Sequence, residues 1–467
     1  MREYFNCHNH TMYSNIRLLD SINRPKDLVK KAIELGLSGI AITDHECLSS
    51  HVEINKIAKE YPDFKIALGN EIYLTDTRDK GQKYYHFILI AKDKEGYKAI
   101  KELSSTAWFN SYQDRGERVP TLKSELKEII SKYKGHVIAT SACIGGELST
   151  NALAMTEAEN VNDMSSAKVF YDRIVSFIEF CLELFGEDFY IECAPSTNKE
   201  QILVNKKLAK IAQVYNIKMT VGTDSHYLTK EDRHAHKIYL NSVDGDREVD
   251  KFYEFARLMD SDEVIELLSL CFDNDLIDNI LNNTIEIQNK IEFYDLFHKQ
   301  DIPTVEVKEY PKIKLNNRDQ DEAMFIKHYP TLTEMFNSDD IQNRYWINEC
   351  YNKLSEIKNA TMYDLLNDYS EYLDELEEEA RVKNIISEKL ETNMFRYPNT
   401  LQHYIDLIWE CGSTVGAGRG SSCAALNHYL MGITQLDPIE WKLPFFRYLN
   451  EERIELGSLI LILPSCK

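Results

Sequence analysis

Over roughly its first half the chain alternates short apolar runs with longer amphipathic ones. The runs Tyr4–His8, Ser38–Thr43, Phe64–Leu68, Tyr84–Ala91, His136–Thr140, Phe189–Cys193 and Ile217–Val221 are rich in β-branched and aromatic side chains, which predicts seven buried strands. Between them, apolar residues recur at helical spacing near Pro25–Gly36, His51–Tyr61, Lys94–Trp108, Leu122–Tyr133, Ala167–Phe185 and Lys199–Tyr215, and again after Thr229. The first of these opens on Pro and closes on Gly, as a helix should. Strands joined by helices predict an α/β fold, either a parallel barrel or a doubly wound sheet.

Beyond about Asn241 the pattern turns helical. Patterning thins from Tyr294 to Asn317, around Pro303 and Pro311, which predicts a connection. Leu366–Leu390 follows as a charged helix and Asn399–Cys411 as an amphipathic one. The latter leads into the Gly-rich stretch Gly412–Ser422 and a helix through Leu430. The expected organisation is therefore an α/β domain over 1–285, a connecting segment over 286–320 and a further domain over 321–467.

The formal charge of -22 argues against an extensive grip on nucleic acid, because phosphate contacts dominate that affinity. Any such contact must be local or made by other parts. Acid concentrates in Asp368–Ala380, which reads as a solvated helix face. No apolar run approaches the ~18 residues of a membrane span, and the N-terminus lacks the pattern of a signal peptide. Ten cysteines without a Cys-x-x-Cys pair predict reduced thiols in a cytoplasmic compartment, with neither a disulfide framework nor a zinc ribbon.

Polar residues at the strand ends change the picture. His8, His10, Asp20, His45, Glu71, His86, Cys143, Asp224 and His226 are all of metal-ligand type, and nearly all lie at or just beyond a predicted strand's C-terminal end. His86, early in its strand, and Asp20, in the loop after the first strand, are exceptions. His8/His10 and Asp224/His226 are spaced so that both side chains share one face of an extended strand. A lone His or Cys is usually packing; nine together predict coordination of two or three divalent cations. The imidazoles and carboxylates suit zinc or manganese, and the thiolate leans toward zinc. His51 and His136 are expected at the surface or as supports of the ligands, and His45–His51 has the wrong spacing for a zinc-protease helix.

The segments Phe5–Thr11, Ala41–His45, Leu68–Glu71, Tyr85–Phe87, Ser141–Cys143 and Gly222–Tyr227 resemble the PHP (polymerase and histidinol phosphatase) domain. They are closest to its form in the alpha subunit of replicative DNA polymerase III, the C-family polymerases of bacteria and phages. The resemblance implies a distorted seven-stranded α/β barrel with a trinuclear metal site and metal-dependent 3′–5′ exonuclease activity. It implies that His8, His10, Glu71 and Asp224 hold one metal, with Glu71 bridging to a second held by His86 and Cys143. Asp20, His45 and His226 would hold the third.

Gly418, Arg419, Gly420, Ser421 and Ser422 precede an apolar helix. Glycines let backbone approach a phosphate, a helix N-terminus offers free N–H groups, and Arg419 offers a charged fork. By itself such a turn is as often structural. With Tyr429–Thr434, Leu436–Pro438 and Arg447–Arg453 it resembles the palm of the same polymerases, where the Gly-Ser loop helps bind the incoming triphosphate. Ala424 and Ala425 stand where that family usually shows Gly and Ser.

The family next carries an Asp-x-Asp strand for the two Mg²⁺ ions of nucleotidyl transfer; here Ser458, Ile460 and Ile462 take those positions. The expectation is a mostly helical region and an incomplete palm that does not polymerise by itself. Asp-Ile-Asp codons read one base late would give Ile460-Leu461-Ile462, so a frameshifted or split gene is a further expectation. Expected partners are DNA at a primer 3′ end and, in a complete polymerase, deoxynucleoside triphosphates, other replisome subunits or a second polypeptide. Two other readings are a free-standing phosphatase of small phosphate esters, like histidinol phosphatase, and a non-catalytic module stabilised by its metals.

Overall fold

All seven predicted strands form, and they pair in sequence order. We number them β1 (Phe5–Asn6), β2 (Gly39–Ile42), β3 (Lys65–Thr75), β4 (Tyr85–Ala91), β5 (Val137–Thr140), β6 (Phe189–Cys193) and β7 (Met219–Val221). A parallel bridge between Asn9 and Ser225, with His10 N–H donating to Ser225 O at 3.0 Å, draws the chain after β1 to the chain after β7 and nearly closes the barrel. This computed structural model describes residues 2–16, 19–79, 81–113, 117–242, 253–297, 302–316 and 319–452. The chain falls into two compact units, Met1–Phe297 and His298–Lys467.

Alternation along the strands sorts the side chains. Ile40 and Ile42, Phe87 and Leu89, and Ile191 and Cys193 face the surrounding helices, in one core with Leu28, Ile54, Ile100 and Ile178. Phe5, Ala41, Ala67, Ile88, Ile90, Ile138 and Tyr190 form a second, inner core, which Ile287 and Ile291 complete. Successive side chains point to opposite faces, so positions in step with the inner set point into the barrel. Glu71, His86 and Glu192 are such positions. Each buried aliphatic chain contributes about 1.5–3 kcal/mol. Gly39 is required by close approach: a Cβ there would lie 2.3 Å from Lys65 O, in the neighbouring strand.

The sheet is mixed, against the expectation of a parallel one. β4 runs antiparallel to both β3 and β5. The short connection from Thr75 to Tyr85 has no helix among its described residues, and a parallel return needs a longer crossover. β3 also extends past its apolar run, pairing Glu71 with Ile88 and Tyr73 with His86. Glu71 is thus within its strand, not beyond the end. The reversal also explains His86: the start of an antiparallel strand lies at the rim where its parallel neighbours end.

The expected helices form, the first as Pro25–Glu34 with Gly36 at φ +71° beyond it. The sequence pattern missed the helix Glu147–Asn160 and the short strand Pro120–Leu122 beside β3.

In the second unit every regular element among the described residues is helical, the α-helices running from Gln320–His328 to Leu426–Leu430 around Trp346, Phe325, Leu354, Leu373 and Phe395. The expected charged helix divides into Met362–Asn367 and Ser370–Leu390. Its acids are not simply a solvated face. Glu377 accepts the N–H groups of Thr331 and Leu332 at 2.8 and 2.9 Å, and Glu379 is fully buried. The positions Ser458, Ile460 and Ile462 lie outside the described residues.

Candidate metal centre

The barrel rim gathers all nine predicted ligands into one pocket, in three groups. His8 Nε2 lies 2.8 Å from Glu71 Oε2, 3.0 Å from His10 Nε2 and 3.1 Å from Asp224 Oδ1. His10 Nε2 is also 3.1 Å from both carboxylate oxygens. Beside this group, Glu71 Oε1 meets His86 Nδ1, and Cys143 Sγ lies 3.5 Å from the same nitrogen. On the other side, Asp20 Oδ2 lies 2.8 Å from His45 Nε2 and 3.1 Å from His226 Nε2. The His10 ring stacks against His45 and His226, with centroids 4.1 and 4.4 Å apart.

Hydrogen bonds behind the ligands decide which atoms face inward. His8 donates from Nδ1 to Glu192 Oε1 at 2.7 Å, leaving Nε2 for the pocket. His226 Nδ1 is 2.6 Å from Asp224 O and donates to it. His10 Nδ1 lies 3.2 Å from Ser14 Oγ, which donates to Asp44 Oδ1 at 2.8 Å. Asp44 also accepts from Thr11 N–H at 2.6 Å and Ser50 Oγ at 2.6 Å, so it ties the two ligand loops together and is not itself among the convergent atoms. Glu46, Ala142 and Asp224 adopt φ of +43°, +56° and +48°. Each is one of the nine clustered residues or adjoins one. Such backbone costs of order 1–3 kcal/mol and persists where surroundings enforce it.

The electrostatics describe a cage short of positive charge. Burial opposes charge on His8, yet Asp224 and Glu192 outweigh it and raise its pKa well above the usual imidazole range. His45, likewise buried, is raised to about 10 by Glu71 and Asp20. Despite their own burial, Asp20 is held well below the carboxylate range by His226 and His45, and Glu71 by His86 and His45. His10 is lowered by burial and by the neighbouring imidazoles. Burial, with Asp224 and Glu71 nearby, pushes the Cys143 thiol well up, so a thiolate there needs a cation. Buried Asp20 Oδ1 and Asp224 Oδ1 find no well-aligned hydrogen-bond donor. A set of oxygens, imidazole nitrogens and one sulfur facing one another with so few donors fits divalent cations.

The structure adds residues that the sequence pattern did not single out. Glu192 also accepts from Thr140 Oγ1 at 2.6 Å. Its signal was a carboxylate inside the apolar run Phe189–Cys193. His236 donates from Nε2 to Asp20 O at 2.6 Å and so fixes the Asp20 loop. Of the two spare histidines, His51 is fully buried against Tyr97, and His136 pairs with Asp93 at 2.7 Å outside the cluster.

In the second unit Gly418 has φ +131°, where a Cβ would lie 2.7 Å from Cys423 Sγ. Gly420 has φ +65° and opens the 3-10 turn Gly420–Ala424. Arg419 and Ser421 are exposed; Ser422 Oγ lies 3.0 Å from His428 Nδ1. The helix N-terminus behind this loop is not free as expected. Glu379 accepts the N–H groups of Leu426 at 2.6 Å and Asn427 at 3.1 Å, with Lys383 Nζ 3.5 Å away. The chain's own carboxylate takes the place a phosphate would need.

Residues 6–196 match the PHP domain family, and residues 345–458 match the bacterial DNA polymerase III alpha NTPase domain. The chain is 39% identical over 480 residues to the probable DNA polymerase YorL of Bacillus subtilis (strain 168), covering 97% of this chain and 36% of that protein. The DNA-directed DNA polymerase of Bacillus phage SPbeta matches with the same identity and coverage, 39%, 97% and 36%. The DNA polymerase III subunit alpha of Borreliella burgdorferi is 28% identical, over 97% of this chain and 34% of that protein. The chain thus spans about a third of the length of the relatives it matches. The first part of the chain is thus a PHP barrel, the segment at 345–458 is similar to DNA polymerase III alpha, and over nearly its whole length the chain is similar to these polymerases.

Proposed function

We propose that the PHP unit is a metal-dependent phosphodiesterase that removes nucleotides from a DNA 3′ end. The observation that carries this is the convergence of His8, His10, Glu71 and Asp224 on one point, with further groups on either side sharing His10 and Glu71. His8, His10, Glu71 and Asp224 would hold one cation, Glu71, His86 and Cys143 a second, and Asp20, His45 and His226 a third. Zinc or manganese suits the donors. When bound, the cations supply an activated water and neutralise charge developing on the phosphodiester. The protein's part is to fix the donors through Glu192, Ser14 and Asp44, and to leave one edge open. Side-chain exposure is 28% at His86 and 10% at Asp224, against 0% at His8 and His10, so the cluster meets solvent at the first pair.

In the second unit, Gly418, Arg419, Gly420, Ser421 and Ser422 would contact a nucleoside triphosphate in a complete polymerase, through Arg419 and the loop backbone. DNA replication in the cytoplasm is the setting this supports, with other replisome subunits as partners and Mg²⁺ serving a complete polymerase site. Among the described residues no helix is long and apolar enough to cross a membrane. Primer extension is not expected of this chain, since Ser458, Ile460 and Ile462 bring no carboxylate.

The test is release of mononucleotides from a 3′-labelled oligonucleotide by the purified chain with Mn²⁺ or Zn²⁺. Release that EDTA and His10→Ala abolish supports the proposal. A metal-loaded protein that releases nothing contradicts it.

A further inference from the structure

The reversed strand β4 has a second consequence. The helix after it, Lys94–Phe109, runs back up the barrel and delivers Trp108 and Phe109 to the metal-bearing rim. Trp108 Nε1 donates to the carbonyl of Glu46 at 2.6 Å, one residue past His45. A groove of about 740 Å³ opens there, between Ile16 on the His10 loop, Leu48 and Ser49 on the His45 loop, and Lys101, Trp108 and Phe109. Phe109 is 91% exposed, the most exposed large apolar side chain in the described residues. Cys47, Ser104 and Ser105 complete the lining, so among the described residues the groove holds a lysine and no carboxylate in a chain of net charge -22.

We infer that this groove holds the single-stranded 3′ segment of a polynucleotide, its bases stacked on Phe109 and Trp108 and its backbone against Lys101. The inference rests on the phosphodiesterase reading of the metal centre, whose ligand loops form two of the groove's walls. Aromatic faces interleaved with a cation and hydroxyls are what a sequence-tolerant single-strand platform needs. The size fits one or two nucleotides. Lack of acid matters most.

The experiment is fluorescence anisotropy of a labelled oligothymidylate of about twelve nucleotides, titrated at low salt with the full chain and its variants. Phe109→Ala removes only an exposed ring, and Lys101→Glu reverses one exposed charge. Each should weaken binding about ten-fold or more, while Val214→Ala, on an exposed helix face, binds like the parent. A blunt duplex of equal length should bind more weakly than the single strand. Parent-like binding by both groove variants overturns the inference, as does no binding by the parent. It is overturned too if Phe109→Ala instead breaks self-association seen by sedimentation. Hydrolysis of bis(p-nitrophenyl) phosphate by the Mn²⁺-loaded parent reports separately on the metal centre. Loss of that activity with oligonucleotide binding intact sinks the phosphodiesterase reading and leaves the groove standing.

Discussion

His8 donates from Nδ1 to Glu192 Oε1 at 2.7 Å, and that bond determines which face of the imidazole meets Glu71, His10 and Asp224. Glu192 is buried and is 2.6 Å from Thr140 Oγ1, so it is itself held. Glu192→Ala should lower metal affinity about 10–100-fold while leaving the far-ultraviolet circular dichroism unchanged. Glu192→Gln, whose amide oxygen still accepts from His8, should fall between. Competition against a chelating dye measures both.

His10 belongs to the central group with His8, Glu71 and Asp224, and its ring stacks on His45 and His226 of the group beside it. His10→Ala should therefore release at least one cation per chain and abolish hydrolysis, and Asp224→Ala should do the same. His136→Ala removes a residue paired with Asp93, outside the cluster, and should do neither. Elemental analysis after gel filtration, beside an activity assay, checks all three.

Removing the cations should destabilise the first unit. Burying Asp20, Glu71 and Asp224 with so few donors is costly until a cation joins them. A cation at a hundred times its dissociation constant contributes about 2.7 kcal/mol. Calorimetry should show one transition falling on chelation while the second unit's transition stays in place.

Glu379 and Lys383 are both buried, and Lys383 Nζ lies near the rings of Trp346 and Phe445. Burial lowers the Lys383 pKa even though Glu379 opposes the shift. Glu379→Ala strands that lysine and frees two helix N–H groups, and should cost roughly 3–5 kcal/mol. Adding Lys383→Met should recover part of the loss. Urea midpoints of the single and double variants decide it.

One pH effect follows from Glu375, whose pKa is raised to about 7 by burial and by neighbouring Glu379 and Glu378. The folded state then binds a proton more tightly than the unfolded state, so this residue's contribution is present below the ordinary carboxylate pKa. It is lost as pH rises toward and through 7. Glu375→Gln should raise the melting temperature at pH 8 relative to the parent, with the difference vanishing near pH 4.

The barrel and the gathering of nine metal-type side chains at its rim were legible because both rest on local pattern. Apolar runs marked the strands, and the His-x-His and Asp-x-His pairs marked their upper ends. What the pattern could not carry was direction. Nothing in Tyr84–Ala91 says that it runs antiparallel; that follows from a short connection, and only with it does His86 join the site. Glu192 was hidden because alternation inside a buried strand shows only once the sheet has two faces to distinguish. Glu379 looked like surface charge, since its partners are backbone N–H groups 47 and 48 residues away. The Gly-Ser loop showed its glycines in sequence, but not the carboxylate seated behind it.

Anomalous diffraction from crystals grown with Mn²⁺ or Zn²⁺ locates the cations. Two or three peaks are expected inside the barrel rim. One lies between His8, His10, Glu71 and Asp224, and the others lie beside His86 and Cys143 and between Asp20, His45 and His226. A metal-loaded protein whose peaks fall elsewhere on its surface, with those side chains hydrogen-bonded only to one another, would contradict a metal centre at this rim.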